Sequence, residues 1–262
     1  MDFRLVYILF KKELDEIVRS KYVLFSLLFM PAFFFILSVT STIAPVLSGT
    51  TGEADPLFSS LKFTDNWNEL SIQQKFFIIS AEMGIMMLLF LPLILPNVIA
   101  ADTFAGERDR GTAEGIVASP LTESEIYLGK ICGALLPSLI PFWLFMGLYA
   151  ITIDYYSKDV LGFYYYPNIR FVLFFLFLGP LFGFATTNVM VWVSTRTSTS
   201  RDAQQLGGLV IMPLIFILFG TFVMAIMLSW KVLLIVILVL IILNYILGKI
   251  GMSILDRENW IK

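Results

Sequence analysis

The sequence predicts an all-α polytopic membrane protein with six transmembrane helices, preceded by an N-terminal amphipathic interfacial helix. Three observations carry that expectation. Of 262 residues, 58% are hydrophobic and 15% charged, with a mean hydropathy of +0.85, whereas a soluble domain carries about 25% charged residues. The apolar residues gather in long blocks without ionisable side chains, at 23–35, 171–184 and 232–243. Lysine and arginine are divided unequally between alternate connections, as in chains that cross a bilayer repeatedly.

Residues 3–20 form the expected first helix. Phe3, Val6, Tyr7, Phe10, Leu14 and Ile17 recur at helical spacing, while Arg4, Lys11, Lys12, Asp15, Glu16 and Arg19 fall mostly between them. Such a helix beside a span lies in the headgroup plane or packs on a partner. Six spans follow at about 22–44, 77–101, 127–153, 169–193, 205–228 and 232–252, each meeting the roughly 20-residue requirement for crossing. Pro31, Pro92, Pro96, Pro137, Pro141, Pro180 and Pro213 fall inside them, and the paired prolines of the second and third suggest bent helices.

Orientation follows from the basic residues. Lys62, Lys75, Lys158, Arg170 and Lys231 lie on one side, and the remaining thirteen of the eighteen Lys and Arg on the other. The richer side is cytoplasmic, so both termini are inside, which an even number of spans requires. Residues 45–76 and 154–168 are then outer connections. Ser71 and Gln74 form a helix cap in the first, and Tyr164, Tyr165 and Tyr166 an interfacial aromatic cluster in the second.

The longest cytoplasmic loop, 102–126, predicts a short rigid helix between two sharp turns. Gly111 permits the first turn, Thr112 caps the helix with Glu114 at its positive end, and Pro120 stops it. Thr122 and Glu125 form a capping box opening the third span, with Leu121 and Ile126 at staple positions.

Several chemistries are excluded or disfavoured. There is no histidine, which removes the usual general base and commonest metal ligand, and the one cysteine, Cys132, has no second thiol to pair with. It reads as a small buried hydrophobe. A cleavable signal peptide is not expected, because roughly twenty charged, amphipathic residues precede the first apolar run. Neither Gly129-Lys130 nor Gly248-Lys249 has the upstream glycine and following hydroxyl of a phosphate-binding loop, so the chain does not cradle ATP.

One block resembles a known family. Glu107, Gly111, Thr112 and Glu114, then Ser119-Pro120-Leu121, then Leu128-Gly129-Lys130 are similar to the loop of ABC-2 type permeases of ATP-binding-cassette transporters. The run 201–208 with Pro213 resembles the start of their fifth span, and Lys11-Lys12-Glu13-Leu14 their entry helix. The short connection Ser229-Trp230-Lys231 departs from members with a large insertion there. The resemblance implies a plasma-membrane permease subunit, similar to sodium- or drug-export permeases and pairing with a second permease copy. It implies a separate ATPase subunit that holds ATP and magnesium, and no cofactor in this chain. By the same resemblance, helix 3–20, with Lys11, Lys12 and Glu13, and a coupling helix at 112–119 dock on that ATPase, with Glu107, Gly111, Thr112, Glu114, Ser119 and Pro120 at the contact. The expected partners are the ATPase, the second permease and membrane lipids, with no nucleic acid. A non-transporting anchor or sensor subunit, or a membrane enzyme acting on lipid, is the alternative.

Few polar residues lie within the spans. Asn97, Thr187, Asn188 and Gln205 are candidates for a translocation path; Asn97 and the Thr186-Thr187-Asn188 run would equally serve as hydrogen bonds between helices. Glu82, near the outer end of the second span, reads as interfacial, or as functional in the way intramembrane carboxylates are. The 25 phenylalanines face lipid or pack the bundle, or line a hydrophobic cavity.

Overall fold

A computed structural model of the chain describes residues 2–47, 67–112, 115, 119–197, 199–227 and 230–254. These residues form helices and connections, with no strand among them. Six helical segments are long and apolar enough to cross a membrane, which bears out the predicted all-α class with six spans.

Helix α1 spans Phe3–Arg19, opened by the Asp2 side chain accepting the Arg4 N–H at 2.9 Å. The first crossing is α2, Lys21–Leu47. A single turn at Trp67–Glu69 precedes the second crossing, which is opened by the predicted capping box of Ser71 and Gln74. That crossing is two helices, α3 (Ile72–Leu88) and α4 (Leu91–Asp109), parted at Leu89 and Phe90. Pro92 explains the break. Its ring would meet the carbonyl of residue 88 in a continuous helix, and α3 ends at Leu88; proline is then tolerated in the first turn of α4.

The third crossing is α5, Glu123–Leu161, continuous through Pro137 and Pro141 and opened by the predicted Thr122–Glu125 capping box. The fourth is α6 (Ile169–Leu173), one π-helical turn (Phe174–Leu178) and α7 (Gly179–Ser194). The last two are α8, Ser200–Met227, and α9, Trp230–Ile254. Helix α4 runs eight residues past the expected end of its span and α5 starts at Glu123, so the connection is 110–122 rather than 102–126. The charges of 102–110 did not end the helix because they are paired: Arg110 Nη1 lies 3.1 Å from Asp102 Oδ1, two turns back on the same face.

Helix α5 is central and packs against α1, α2, α4 and α7, while α8 and α9 close the other flank against α4 and α7. Large apolar side chains such as Phe216, Leu209, Ile235 and Ile242 remain exposed on α8 and α9. An outward apolar surface of that extent is what a lipid environment accepts and water does not.

At the end of the bundle opposite α1, polar groups knit four elements. Tyr149 donates to the Ala81 carbonyl at 2.8 Å and lies 3.0 Å from Thr42 Oγ1, and Tyr166 donates to the same carbonyl at 3.1 Å. Glu82 is 1% exposed, accepting from Tyr165 Oη at 2.6 Å and Asn168 Nδ2 at 3.3 Å. The connection after α5 thus folds over the carboxylate and removes it from the surface. Burial first, and then the neighbouring Glu82, push the Tyr165 and Tyr166 phenols well above the ordinary tyrosine range, so both stay donors. Asp154 holds that connection in place, accepting the Tyr165 and Tyr166 N–H groups at 3.0 and 2.8 Å.

Candidate functional site

Two glycines bring α1 onto α5. A Cβ on Gly129 would lie 2.8 Å from Leu9 Cδ2, and one on Gly133 only 2.7 Å from Glu13 Cβ. With no side chain at either position, Leu9, Glu13 and Ile17 of α1 reach burial against the larger helix. The start of α1 is fixed as well: the Asp2 N–H donates to Glu125 Oε1 at 2.6 Å, so the carboxylate that completes the α5 capping box also anchors α1.

In this seam lies an alternating ring of four charges. Lys130 Nζ is 2.7 Å from Glu107 Oε2 and 3.3 Å from Glu13 Oε1. Lys12 Nζ is 2.5 Å from Glu107 Oε1 and 3.5 Å from Glu13 Oε1. Glu13, Glu107 and Lys130 are at most 1% exposed, whereas Lys12 is 40% exposed and opens the ring to its surroundings. Lys130 also donates to the Thr103 carbonyl at 2.8 Å, and its ammonium lies over the Phe104 ring. Glu107 Oε2 is paired with that ammonium by proximity but lies off the hydrogen-bond axis. Two negative and two positive groups make the ring neutral, which is the condition for such burial.

The ring joins three elements that the sequence separates: α1 supplies Lys12 and Glu13, α4 supplies Glu107, and α5 supplies Lys130. It continues outward through Lys12–Glu16 at 3.0 Å, Glu16–Arg110 at 3.3 Å and Arg110–Asp102. Burial dominates at Glu13 and raises its carboxyl above the ordinary range, against the pull of Lys130. Burial lowers the Lys12 ammonium, but Glu13 and Glu107 outweigh it and hold the group above the usual lysine range.

The connection after α4 begins with the predicted turn. Gly111 has φ +69°, the Thr112 N–H donates to the Glu107 carbonyl at 2.8 Å, and the Gly111 N–H to the Arg108 carbonyl at 3.0 Å. This is a Schellman closure, whose left-handed residue favours glycine. The Thr112 hydroxyl donates back to the same Glu107 carbonyl at 3.2 Å. One residue, Glu107, therefore terminates its helix through its backbone and holds α1 and α5 through its side chain. Glu114 and most of the expected coupling helix, residues 113, 114 and 116–118, lie outside the described residues. Between α1 and this connection runs a groove of about 520 Å³. Leu5, Ile8 and Leu9 form one wall, Ser119, Pro120 and Leu121 the other, and Lys12 and Glu16 its charged edge.

Of the residues expected at the contact, the structure brings Lys12, Glu13 and Glu107 together, places Thr112, Ser119 and Pro120 on the adjoining groove, and puts Gly111 at the turn before it. Lys11 points away and is exposed. Lys130 was missed as a site residue, although a lone lysine within an apolar span needs a carboxylate partner. Glu16 and Arg110 were missed because their pairing crosses from α1 to the end of α4, and Asp102 enters the network only through Arg110.

The candidates for the path do not form one cluster. Thr187 donates to its own helix, at the Gly183 carbonyl, and Asn188 accepts from Tyr127 Oη on α5 beside Gly251 of α9. Those two act as helix-to-helix or intrahelical bonds in this conformation. Asn97 Oδ1 is buried without a hydrogen-bond partner among the described residues, facing Gly207 of α8, and Gln205 is exposed on that helix.

No curated protein matches the chain. A family model does, described as ABC-2 family transporter protein, over residues 7–233. The match covers α1 from residue 7, the ring, all of the groove but Leu5, and five of the six crossings. The chain is therefore a membrane-spanning transporter component and not itself an enzyme: it belongs to the ABC-2 transporter family.

Proposed function

We propose that this chain is the permease subunit of an ATP-driven exporter in the cell membrane, coupled to a separate ATPase subunit that binds ATP and magnesium. The observation that carries this reading is the charge ring, because it makes α1, α4 and α5 one stiff unit at the end of the bundle. A force applied to α1 or to the 110–122 connection would pass to two spans without being absorbed in the joint, as rigid-body coupling requires. The groove between them supplies apolar walls and a charged edge where a partner could grip. The distribution of Lys and Arg favours placing both termini and this groove in the cytoplasm, with α1 beside the headgroups. A second permease, identical or similar, completes the assembly, and the path runs by α4 and α8, where Asn97 and Gln205 lie.

The test is reconstitution with the ATPase subunit. Gly111→Val forces a branched side chain into the left-handed region, and should lower ATP turnover coupled to transport at least ten-fold while leaving the chain in the membrane. Unchanged assembly and unchanged coupled turnover would remove the coupling assignment.

A further inference from the structure

The fourth crossing contains one backbone irregularity whose accounting can be completed. In the π turn the Gly179 N–H donates to the Phe174 carbonyl, five residues back rather than four. The next bond in that pattern would run from residue 180 to the Phe175 carbonyl, but residue 180 is proline and has no N–H. The Phe175 carbonyl is instead served from another helix: Trp143 Nε1 of α5 donates to it at 2.9 Å. Within a membrane a bare carbonyl is costly, so the indole completes the π turn.

The same carbonyl is what Gly179 would need in an ordinary α-helix. With Gly179 bonded to Phe174 instead, the Phe175 carbonyl is open to Trp143, so the bond from α5 goes with the π register of everything downstream. Removing the extra residue of the π turn would put each later residue of α7 in the place of its successor, turning the face of the helix by about 100°. Asn188 would then leave Tyr127, and the α5–α7–α9 junction at Gly251 would come apart. At the crossing itself Phe142 meets a glycine, Gly179, with no side chain to interlock.

We infer that Trp143 is a positioning residue of the transport bundle: its indole N–H, by occupying the Phe175 carbonyl, holds the inner half of the fourth crossing in the register that places Asn188 against Tyr127. Nothing in this depends on which partner drives the chain.

The test uses the full chain in lipid nanodiscs, with Cys132→Ala and Val191→Cys. Val191 is buried and its neighbour Trp192 is 36% exposed, so a one-residue slip moves the thiol at position 191 into the exposed place. Trp143→Phe keeps the ring and removes the donor. Labelling of that thiol by a soluble maleimide should become at least several-fold faster. The ratio of folded to unfolded chain should fall about ten-fold, the scale of one unsatisfied buried carbonyl. Adding Pro180→Ala, which returns a backbone donor to the turn, should bring the folded ratio back to within two-fold of Pro180→Ala alone. If Trp143→Phe does not fold, recovery of folding in the double variant supports the role, and failure of both overturns it. An equal loss in both backgrounds, or unchanged labelling in a folded Trp143→Phe chain, would also overturn it, leaving Trp143 as packing only.

Discussion

Lys130→Met is the perturbation to which this structure gives the most definite expectation. The substitution keeps an unbranched side chain of similar length and removes the ring's fully buried cation. Glu13 and Glu107 then share a dry seam with only Lys12, which is partly exposed, so the ring passes from neutral to a net charge of −1. Breaking a buried ion pair by removing one partner costs about 3–5 kcal/mol, and the Thr103 carbonyl loses its donor as well. The second half of the experiment separates charge from packing. Lys130→Met with Glu107→Met leaves Lys12 and Glu13 as a balanced pair, and hydrophobic replacement of a whole buried pair is often near neutral. The double variant should therefore recover most of the loss. Tryptophan fluorescence of the purified chain in lipid nanodiscs, followed through denaturant, measures both, since the sequence carries five tryptophans. A Lys130→Met chain as stable as the parent would refute the reasoning, as would a double variant no better than the single one.

Three further outcomes follow from the same geometry. Gly133→Ala places a methyl group 2.7 Å from Glu13 Cβ, which should lift α1 from α5 at a cost of about 1–3 kcal/mol, read as faster proteolysis of α1. Gly84→Ala places one 2.1 Å from Tyr149 Oη and should destabilise the opposite end by a similar amount, about 1–3 kcal/mol, with α1 docking unaffected. For pH, the raised Glu13 carboxyl means that the folded state holds its proton more tightly than the unfolded chain does. That contribution is fully present below the unfolded value and is lost as pH rises through the folded one. Docking of α1 should strengthen as the pH falls from neutral into the acidic range, where no histidine titrates to obscure it. Glu13→Gln should flatten the profile; the raised Lys12 acts only at alkaline pH, outside this range.

The membrane fold was legible because its causes are local. Six apolar blocks, the Ser71 and Thr122 caps and the glycine turn at 111 each depend on residues within a few positions, although α4 and α5 run on beyond their apolar blocks. The break at Leu89 was legible in part: Pro92 signalled a bend, and the ring's clash with residue 88 placed it. The site was half legible. Lys12, Glu13 and Glu107 were picked out by resemblance, but nothing local says that they meet, because their approach depends on Gly129 and Gly133, whose effect is exerted on another helix. The cover over Glu82 was invisible for the same reason, its lid being the later connection with Tyr165 and Asn168. The Trp143 bond was invisible in sequence, since it answers a missing N–H on a different span.

The proposed coupling requires that the groove between α1 and the 110–122 connection face the cytoplasm and be held by the ATPase. Ser119 is partly exposed on its wall, so a thiol introduced there by Ser119→Cys, with Cys132→Ala, reports on it directly. In inside-out vesicles a membrane-impermeant maleimide should label position 119 rapidly, and addition of the purified ATPase subunit should protect it. Labelling from the outer face of right-side-out vesicles, or no protection by a bound ATPase, would contradict the account.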